Sequence, residues 1–382
     1  IIEFNQDLNS LKMDIRKIEK GFEINGIPYS SEMVVEKLKE IHNSKTKKED
    51  HANLLFDFID RYIKDHRTTR EAGSLAVYNS LKNHLQRFQK DRKKNVTFES
   101  IDYKFFQDFQ NYLLKERTDD KGKIIKGLNN TTVAKQLSTV KTFLNYARMH
   151  GVSSISQSHK DFKIKKETLE VIALTNEEFE RLYYLDLTEN KRLDQICDVF
   201  CFACTTGLRY SDLKQIRREH IKADEIRITV KKTKELLSVP LTSFSVAILN
   251  KYKSYNSPLP VISNQKMNEY LKELCKLAEI NEEIEIVRFT GAKRITKVYP
   301  KHELIGVHTG RKTFVTLSLE KGMSAEEVMT ITGHKDYKSF SRYVKITEQR
   351  KKVVMRNAWG TDQDSEIKSN LIFHIKNNHH AN

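Results

Sequence analysis

No apolar run in this sequence approaches the roughly 18 residues a membrane helix needs, and no secretory leader is visible at its start. Both absences argue against a membrane or exported protein and for a cytoplasmic one. Cysteine is scarce, with 4 in 382 residues. Cys197, Cys201 and Cys204 fall at i, i+4 and i+7 in DQICDVFCFACTTG, and Cys275 stands alone. No histidine or further cysteine completes a nearby metal set, so the spacing reads as core packing, and free thiols suit a reducing compartment. Acidic side chains are in deficit, 51 against 67 lysines and arginines. The excess is uneven: nine basic against ten acidic in 1–50, twenty against eleven in 51–160, and thirty-eight against thirty in 161–382. Two successive basic regions are what a protein lying along a polyanion requires. The chain begins at Ile1 rather than a methionine, as a trimmed or partial chain would.

Length predicts two or three domains. Residues 1–50 read as one or two helices, SLKMDIRKIEKGFEI and SSEMVVEKLKEI, with TKKED at 46–50 as a hinge. Residues 51–155 are helical almost throughout. LLFDFIDRYIKDH, SLAVYNSLKNHLQRFQK, IDYKFFQDFQNYLLKE and TTVAKQLSTVKTFLNYARMHG each repeat apolar residues at three and four, which predicts a four-helix bundle. Its polar faces carry Lys82, Arg87, Lys90, Arg92, Lys93, Lys94, Lys135, Lys141 and Arg148. A charged helix face is most often merely solvated, but recurrence on several helices of one small domain raises the case for a phosphate-binding surface. The loop DDKGKIIKG is polar and reads as mobile. Residues 156–174 lack a period and suit a linker.

A second region, 175–355, opens on a capping box, Thr175 with Glu178. Gly207 is placed to end the next helix, with Arg209 at the turn and Asp212 three residues on to hold it. Ile226, Ile228 and Val230 then alternate with polar residues, predicting a hairpin with Lys231, Lys232, Thr233 and Lys234 at its tip. IEIVRFTGAKRITKVYP reads either as a second hairpin or as an irregular basic loop. His308 and Arg311 in HTGR share a helix face. Ser324 and Glu327 form another box, Gly333 follows that helix, and His334 and Tyr343 come after it. A guanidinium for a phosphate, an imidazole for proton traffic and a phenol able to act as nucleophile make a reaction set. Residues 356–382 read as a polar tail with one apolar island, Leu371, Ile372, Phe373 and Ile375.

Taken in order, GLRYSDL, the hairpin lysine, HTGR, GH and a tyrosine nine residues later resemble the catalytic series of the tyrosine recombinase (lambda-integrase-like) family, over about residues 51–355. That resemblance implies a mainly α fold with a small β-sheet: a helical SAM-like core-binding domain followed by a mixed α+β catalytic domain. It also implies that residues 1–50 are the remnant of an arm-site-binding domain. Tyr343 would be the nucleophile that forms a 3′-phosphotyrosine link, with Arg209 and Arg311 bracing the phosphate oxygens. His308 and His334 would support proton transfer, and Asp212 would hold the acidic position after the first arginine. Lys232 would be the general acid, with Lys231 and Lys234 open as alternatives. The basic helix faces would bind DNA through Lys82, Arg87, Lys90, Lys93, Lys135, Lys141 and Arg148.

The implied activity is site-specific strand cleavage and rejoining that integrates or excises a mobile element. Its partners would be double-stranded DNA, a homo-tetramer on two DNA sites and accessory bending or directionality proteins, with the tail docking on a neighbouring protomer. No cofactor or metal is expected, because the covalent link conserves bond energy and no nucleotide-binding loop or carboxylate cluster is evident. Two alternatives share these residues: a type IB topoisomerase-like relaxing enzyme and a non-catalytic DNA-binding protein on the same fold. Taken singly, Tyr343 in SFSRYVKI would more often be a half-buried packing residue, and His308 a satisfied buried histidine.

Overall fold

The computed structural model describes residues 2–118, 122–152, 154–164, 167, 170–344 and 355–356. The chain divides into two units, 1–167 with 287–295, and 168–286 with 296–382.

The first unit opens with α1 (Ile2–Ile24) and α2 (Ser31–Asp65), the latter capped by the Ser30 side chain. The hinge expected at 46–50 is absent, since α2 runs unbroken through it. TKKED holds neither glycine nor proline, and lysine and glutamate are good helix formers, so charge density alone does not interrupt a helix. Three further helices follow, α3 (Ala72–Arg92), α4 (Tyr103–Leu114) and α5 (Asn130–Met149). The three- and four-residue spacing places Leu75, Tyr78, Leu81, Leu85 and Phe88 of α3 inside, facing Phe105, Phe106, Phe109 and Leu113 of α4 and Leu137, Val140, Phe143 and Leu144 of α5. The C-terminal half of α2 adds Leu55, Phe58, Ile59 and Tyr62 to the same core. Asp102 and Asn129 cap α4 and α5 by accepting from Phe105 and Thr132 N–H at 2.7 and 2.8 Å. Between α4 and α5, a short strand inside the loop expected from DDKGKIIKG, β2 (Ile124–Ile125), pairs with β1 (Arg117–Thr118) just ahead of it.

The second unit begins with α6 (Asn176–Tyr183), on the Thr175–Glu178 box the sequence predicts, and α7 (Lys191–Thr206). α7 is buried nearly all round, its three cysteines included, as their helical spacing implies. After α8 (Tyr210–Leu213) comes the predicted hairpin, β3 (Glu225–Thr229) paired antiparallel with β4 (Leu236–Pro240) so that Ile226 faces Val239 and Ile228 faces Leu237. α9 (Ser243–Lys251) and α10 (Asn264–Leu277) pack on α7. The ambiguous basic stretch is a second hairpin, β5 (Glu283–Thr290) with β6 (Lys293–Pro300), whose tip belongs to the first unit. The short α11 (Lys301–Leu304) leads to α12 (Val307–Glu320), α13 (Ala325–Thr332) and α14 (Tyr337–Phe340). The apolar island at 371–375 lies outside the described residues.

α12 crosses α7 at short range, and one glycine permits it. A Cβ on Gly310 would sit 2.8 Å from the Cβ of Ala203 and 3.4 Å from two of α7's backbone atoms. The neighbouring Arg311 is thereby brought against the C-terminal end of α7.

Candidate active site

α7 stops at Gly207, whose φ of +67° only glycine adopts without strain, and whose missing side chain leaves room for Phe314. The turn buries Leu208 and presents Arg209 as the extended residue ahead of α8. One turn on, Asp212 is fully buried. Its Oδ1 accepts from the Lys231 backbone N–H at 3.2 Å and the Ser211 hydroxyl at 3.4 Å. Its Oδ2 lies 3.9 Å from Arg209 Nη1, too far for a hydrogen bond, and both atoms are buried without a partner. The pairing of Arg209 with Asp212 expected from their spacing is thus an ionic neighbourhood with a gap in it.

Arg311 is 2 % exposed. Its Nη1 donates to the Gly207 carbonyl at 2.8 Å, and its Nη2 lies 3.2 and 3.3 Å from the two ring nitrogens of His334. Burial, then the adjacent Arg209, lower its pKa to about 9, which still leaves it cationic at neutral pH. The Gly333 C-cap, φ +64°, delivers His334 from the end of α13. The Thr332 hydroxyl donates its one proton to the Val328 carbonyl at 2.6 Å and lies 2.7 Å from His334 Nδ1. Nδ1 must therefore carry the ring proton toward Thr332, which leaves Nε2 as the acceptor on the Arg311 side. Loss of hydration and the cations Arg311, Arg209 and Arg342 lower His334 to about 3. His308, on the face of α12 that carries Arg311, is lowered to about 4 by loss of hydration and by Lys312, Arg311, Arg342 and Arg209. Both imidazoles are neutral at pH 7.

Tyr343 is 5 % exposed and packs with Phe340, Val315, Leu319 and Val328, which is the packing role its sequence context favours when taken alone. Its phenol is not stranded there. The oxygen accepts from Arg342 Nη2 at 3.1 Å, and the ring centroid lies 5.9 Å from that of His334.

Lys232 sits with Lys231 and Lys234 on the turn from β3 to β4, and all three are exposed. The turn is closed by Val230 N–H to the Glu235 carbonyl and Lys234 N–H to the Val230 carbonyl, both 2.8 Å. Asp212 ties its base to the cluster, and Lys335, next to His334, pairs with Glu235 on the other side at 2.5 Å. Arg209, Asp212, His308, Arg311, His334 and Tyr343 thus converge, while the lysine turn is anchored to that cluster through its backbone and Glu235.

Sequence reasoning missed three neighbours. Arg342 bonds the phenol, Lys312 adds charge beside His308, and Thr332 fixes the His334 tautomer. The signal for two of them was adjacency, since Lys312 follows HTGR and Arg342 precedes the tyrosine.

The basic candidates of the first unit diverge in their surroundings. Lys141 is turned inward, its ammonium donating to the carbonyls of Lys160 and Phe162 at 3.2 and 2.6 Å, so a role on an outer charged face does not fit it. Lys82 is paired with Asp60 at 2.5 Å, and Arg148 donates to Gln157 at 2.7 Å. Lys93 ends α3 in a left-handed conformation. Arg87 and Lys90 line a cleft of about 280 Å³ with Arg117, and Lys135 lines one of about 380 Å³ with Thr131, Ser138 and Thr142.

Comparison with known proteins matches the phage integrase SAM-like domain to residues 54–164 and the phage integrase family to residues 173–350. A tyrosine recombinase of Pseudothermotoga lettingae is 24 % identical over 230 residues, covering 59 % of this chain and 73 % of its own. A tyrosine recombinase XerC of Staphylococcus saprophyticus is 24 % identical over 274 residues, 70 % of this chain and 84 % of its own. Among solved structures, a lambda integrase dimer bound to a COC′ core site superposes with a TM-score of 0.56 at 18 % identity, over 75 % of this chain and 94 % of that one. A Tn1549 transposon integrase in complex with a circular intermediate DNA gives 0.56 at 14 %, over 79 % and 99 %.

Proposed function

This chain belongs to the tyrosine recombinase family, and from that premise we propose that it cleaves and rejoins double-stranded DNA through Tyr343, assembling as a homo-tetramer on two sites to move a mobile element. The observation that carries the reading is the buried Arg311, held by the Gly207 carbonyl and against His334, with the charges of Tyr343 and of Arg209, whose Nη1 has no hydrogen-bond partner, acting on it. Cations at this density repel one another, and among the described residues Asp212 is the acid bonded into the cluster. A phosphodiester between the two arginines would supply the missing negative charge.

The chemistry follows from the residue types. Attack on the phosphorus puts charge on its non-bridging oxygens, which two fixed guanidinium forks meet better than mobile ammonium groups. Tyr343 Oη forms the new P–O bond while the bond to the 5′ oxygen breaks. The phenolic proton passes through water to neutral His308, since Arg311 occupies the accepting ring nitrogen of His334. The departing 5′ oxygen takes a proton from Lys232 on the turn. The product is a 3′-phosphotyrosine ester and a free 5′-hydroxyl, and attack by a 5′-hydroxyl on that ester reseals the strand without ATP. The arginines and lysines on the outer faces of the first unit, Arg87, Lys90 and Lys135 among them, support binding along the duplex.

The test is covalent capture on a nicked substrate whose short 5′ fragment diffuses away after cleavage. Wild type should accumulate a protein–DNA adduct. Tyr343→Phe should bind the DNA and form none, and capture at the wild-type level by that variant would remove Tyr343 from the reaction.

A further inference from the structure

Arg342 lies outside the residues assigned so far, yet it is bonded to the oxygen that must react. Its Nη2 donates to Tyr343 Oη at 3.1 Å and its guanidinium carbon lies 5.1 Å from the centre of that ring. The side chain is exposed, so the packing of Phe340, Val315, Leu319 and Val328 around Tyr343 does not depend on it. We propose that Arg342 aims and activates the nucleophile, its guanidinium holding Tyr343 Oη and stabilising the phenolate that forms as the proton leaves. The proposal rests on Tyr343 being the nucleophile and adds a residue to that reading.

Two arguments support it. The first concerns where the proton is. An oxygen that accepts from Arg342 keeps its own O–H directed elsewhere, so the bond orients the phenol before reaction. The second is electrostatic. Negative charge builds on the oxygen as the proton leaves, and a cation within hydrogen-bond distance meets that charge in the transition state.

The groups around the phenol do not duplicate this. α12 contributes His308, Arg311 and Lys312; Arg209 and Asp212 come from the turn after α7, and His334 from the end of α13. Glu170 flanks Val171, which packs against the same small core. Both histidines are neutral at pH 7, Arg311 is committed to Gly207 and His334, and Arg209 has Asp212 beside it. Arg342 is the cation whose hydrogen bond ends on the attacking oxygen.

The experiment is single-turnover formation of the covalent adduct by the full chain at saturating DNA, with DNA affinity measured alongside, for wild type, Arg342→Gln and Arg342→Lys. Arg342→Gln should form adduct about tenfold more slowly at unchanged DNA affinity, and Arg342→Lys should recover most of the rate. A Gln variant with the wild-type rate would overturn the proposal. So would a deficit that Arg342→Lys does not relieve, or one matched by weaker DNA binding, which is the mark of a structural or DNA-contacting role. Tyr343→Phe run alongside separates the two levels: adduct formed by that variant sinks the nucleophile assignment, whereas its absence together with a wild-type Arg342→Gln rate sinks only the role of Arg342.

Discussion

Replacing Gly310 with alanine should damage both stability and cleavage, and the geometry fixes the size of the effect. Carbon atoms in contact rest about 3.5–4.0 Å apart. The new methyl would stand 2.8 Å from the Cβ of Ala203, with α7 backbone at 3.4 Å behind it. Neither neighbour is the far end of a flexible chain, so α12 must lift from α7 by most of an ångström. Overpacking of this kind costs roughly 1–3 kcal/mol. Alanine in a helix interior returns about 1 kcal/mol of that through propensity. The net expectation is a loss of up to about 2 kcal/mol, measured by denaturant unfolding with an unchanged m-value. The lift also carries Arg311 away from the Gly207 carbonyl at 2.8 Å, so adduct formation should fall further than stability alone accounts for. Ala203→Gly deletes the clashing atom at its own cost of about 1 kcal/mol in α7. Combined with Gly310→Ala it should restore cleavage, with a favourable coupling of about 1 kcal/mol in the double-mutant cycle. Gly310→Ala that is more stable than wild type and fully active would refute the argument, since it would mean that α12 has space to spare and that Arg311 is not positioned by this crossing.

The remaining predictions concern lysines. If Lys232 is the general acid, Lys232→Ala should cleave ordinary DNA at least a hundredfold more slowly, and a substrate whose 5′ oxygen is replaced by sulfur, a leaving group that needs no proton, should be cleaved at nearly the wild-type rate. The same test on Lys231→Ala and Lys234→Ala decides among the turn lysines, and rescue of either in place of Lys232 would move the assignment. In the first unit, Lys141→Ala should lower the melting temperature by a few degrees and leave the salt slope of DNA binding unchanged, because its ammonium is spent on the carbonyls of Lys160 and Phe162. Lys135→Ala should do the reverse, reducing that slope by about one at unchanged stability, and an identical slope would take Lys135 off the DNA surface.

How far these elements could be read in advance depended on whether a local rule governed them. The bundle helices were legible because Leu75, Leu81 and Leu85 or Phe105, Phe106 and Phe109 repeat at the helical period, and that period is itself the burial pattern. The caps at Thr175, Ser324, Gly207 and Gly333 were legible for the same reason, since each satisfies its own helix end. The hinge at 46–50 misled because charge was taken for a break, when only backbone chemistry makes one. The second hairpin stayed ambiguous because its faces are not cleanly divided: β5 and β6 mix exposed and half-buried positions without regular alternation and bury none fully, so no apolar face announced a strand.

Within the site, spacing named Arg209, His308, Arg311, His334 and Tyr343 but could not say how they are held. That information lies in tertiary crossings: a carbonyl at the end of α7 that receives Arg311, a threonine hydroxyl that sets the His334 tautomer, and a buried carboxylate that grips the lysine turn by its backbone. Lys141 shows the converse. Its position on a helix marked it as surface charge, and only the path of the chain after α5 could reveal that carbonyls at 160 and 162 would claim its ammonium. Tyr343 unites both lessons, because its ring is buried while its oxygen keeps a polar partner. An apolar floor built from α12 and α13 restrains the ring, and the oxygen emerges from that floor where Arg342 reaches it and the ring of His334 stands beside. If Tyr343 is the nucleophile, a phenol already restrained by that packing has met on folding the entropic cost that one free to rotate in solvent would meet in the transition state.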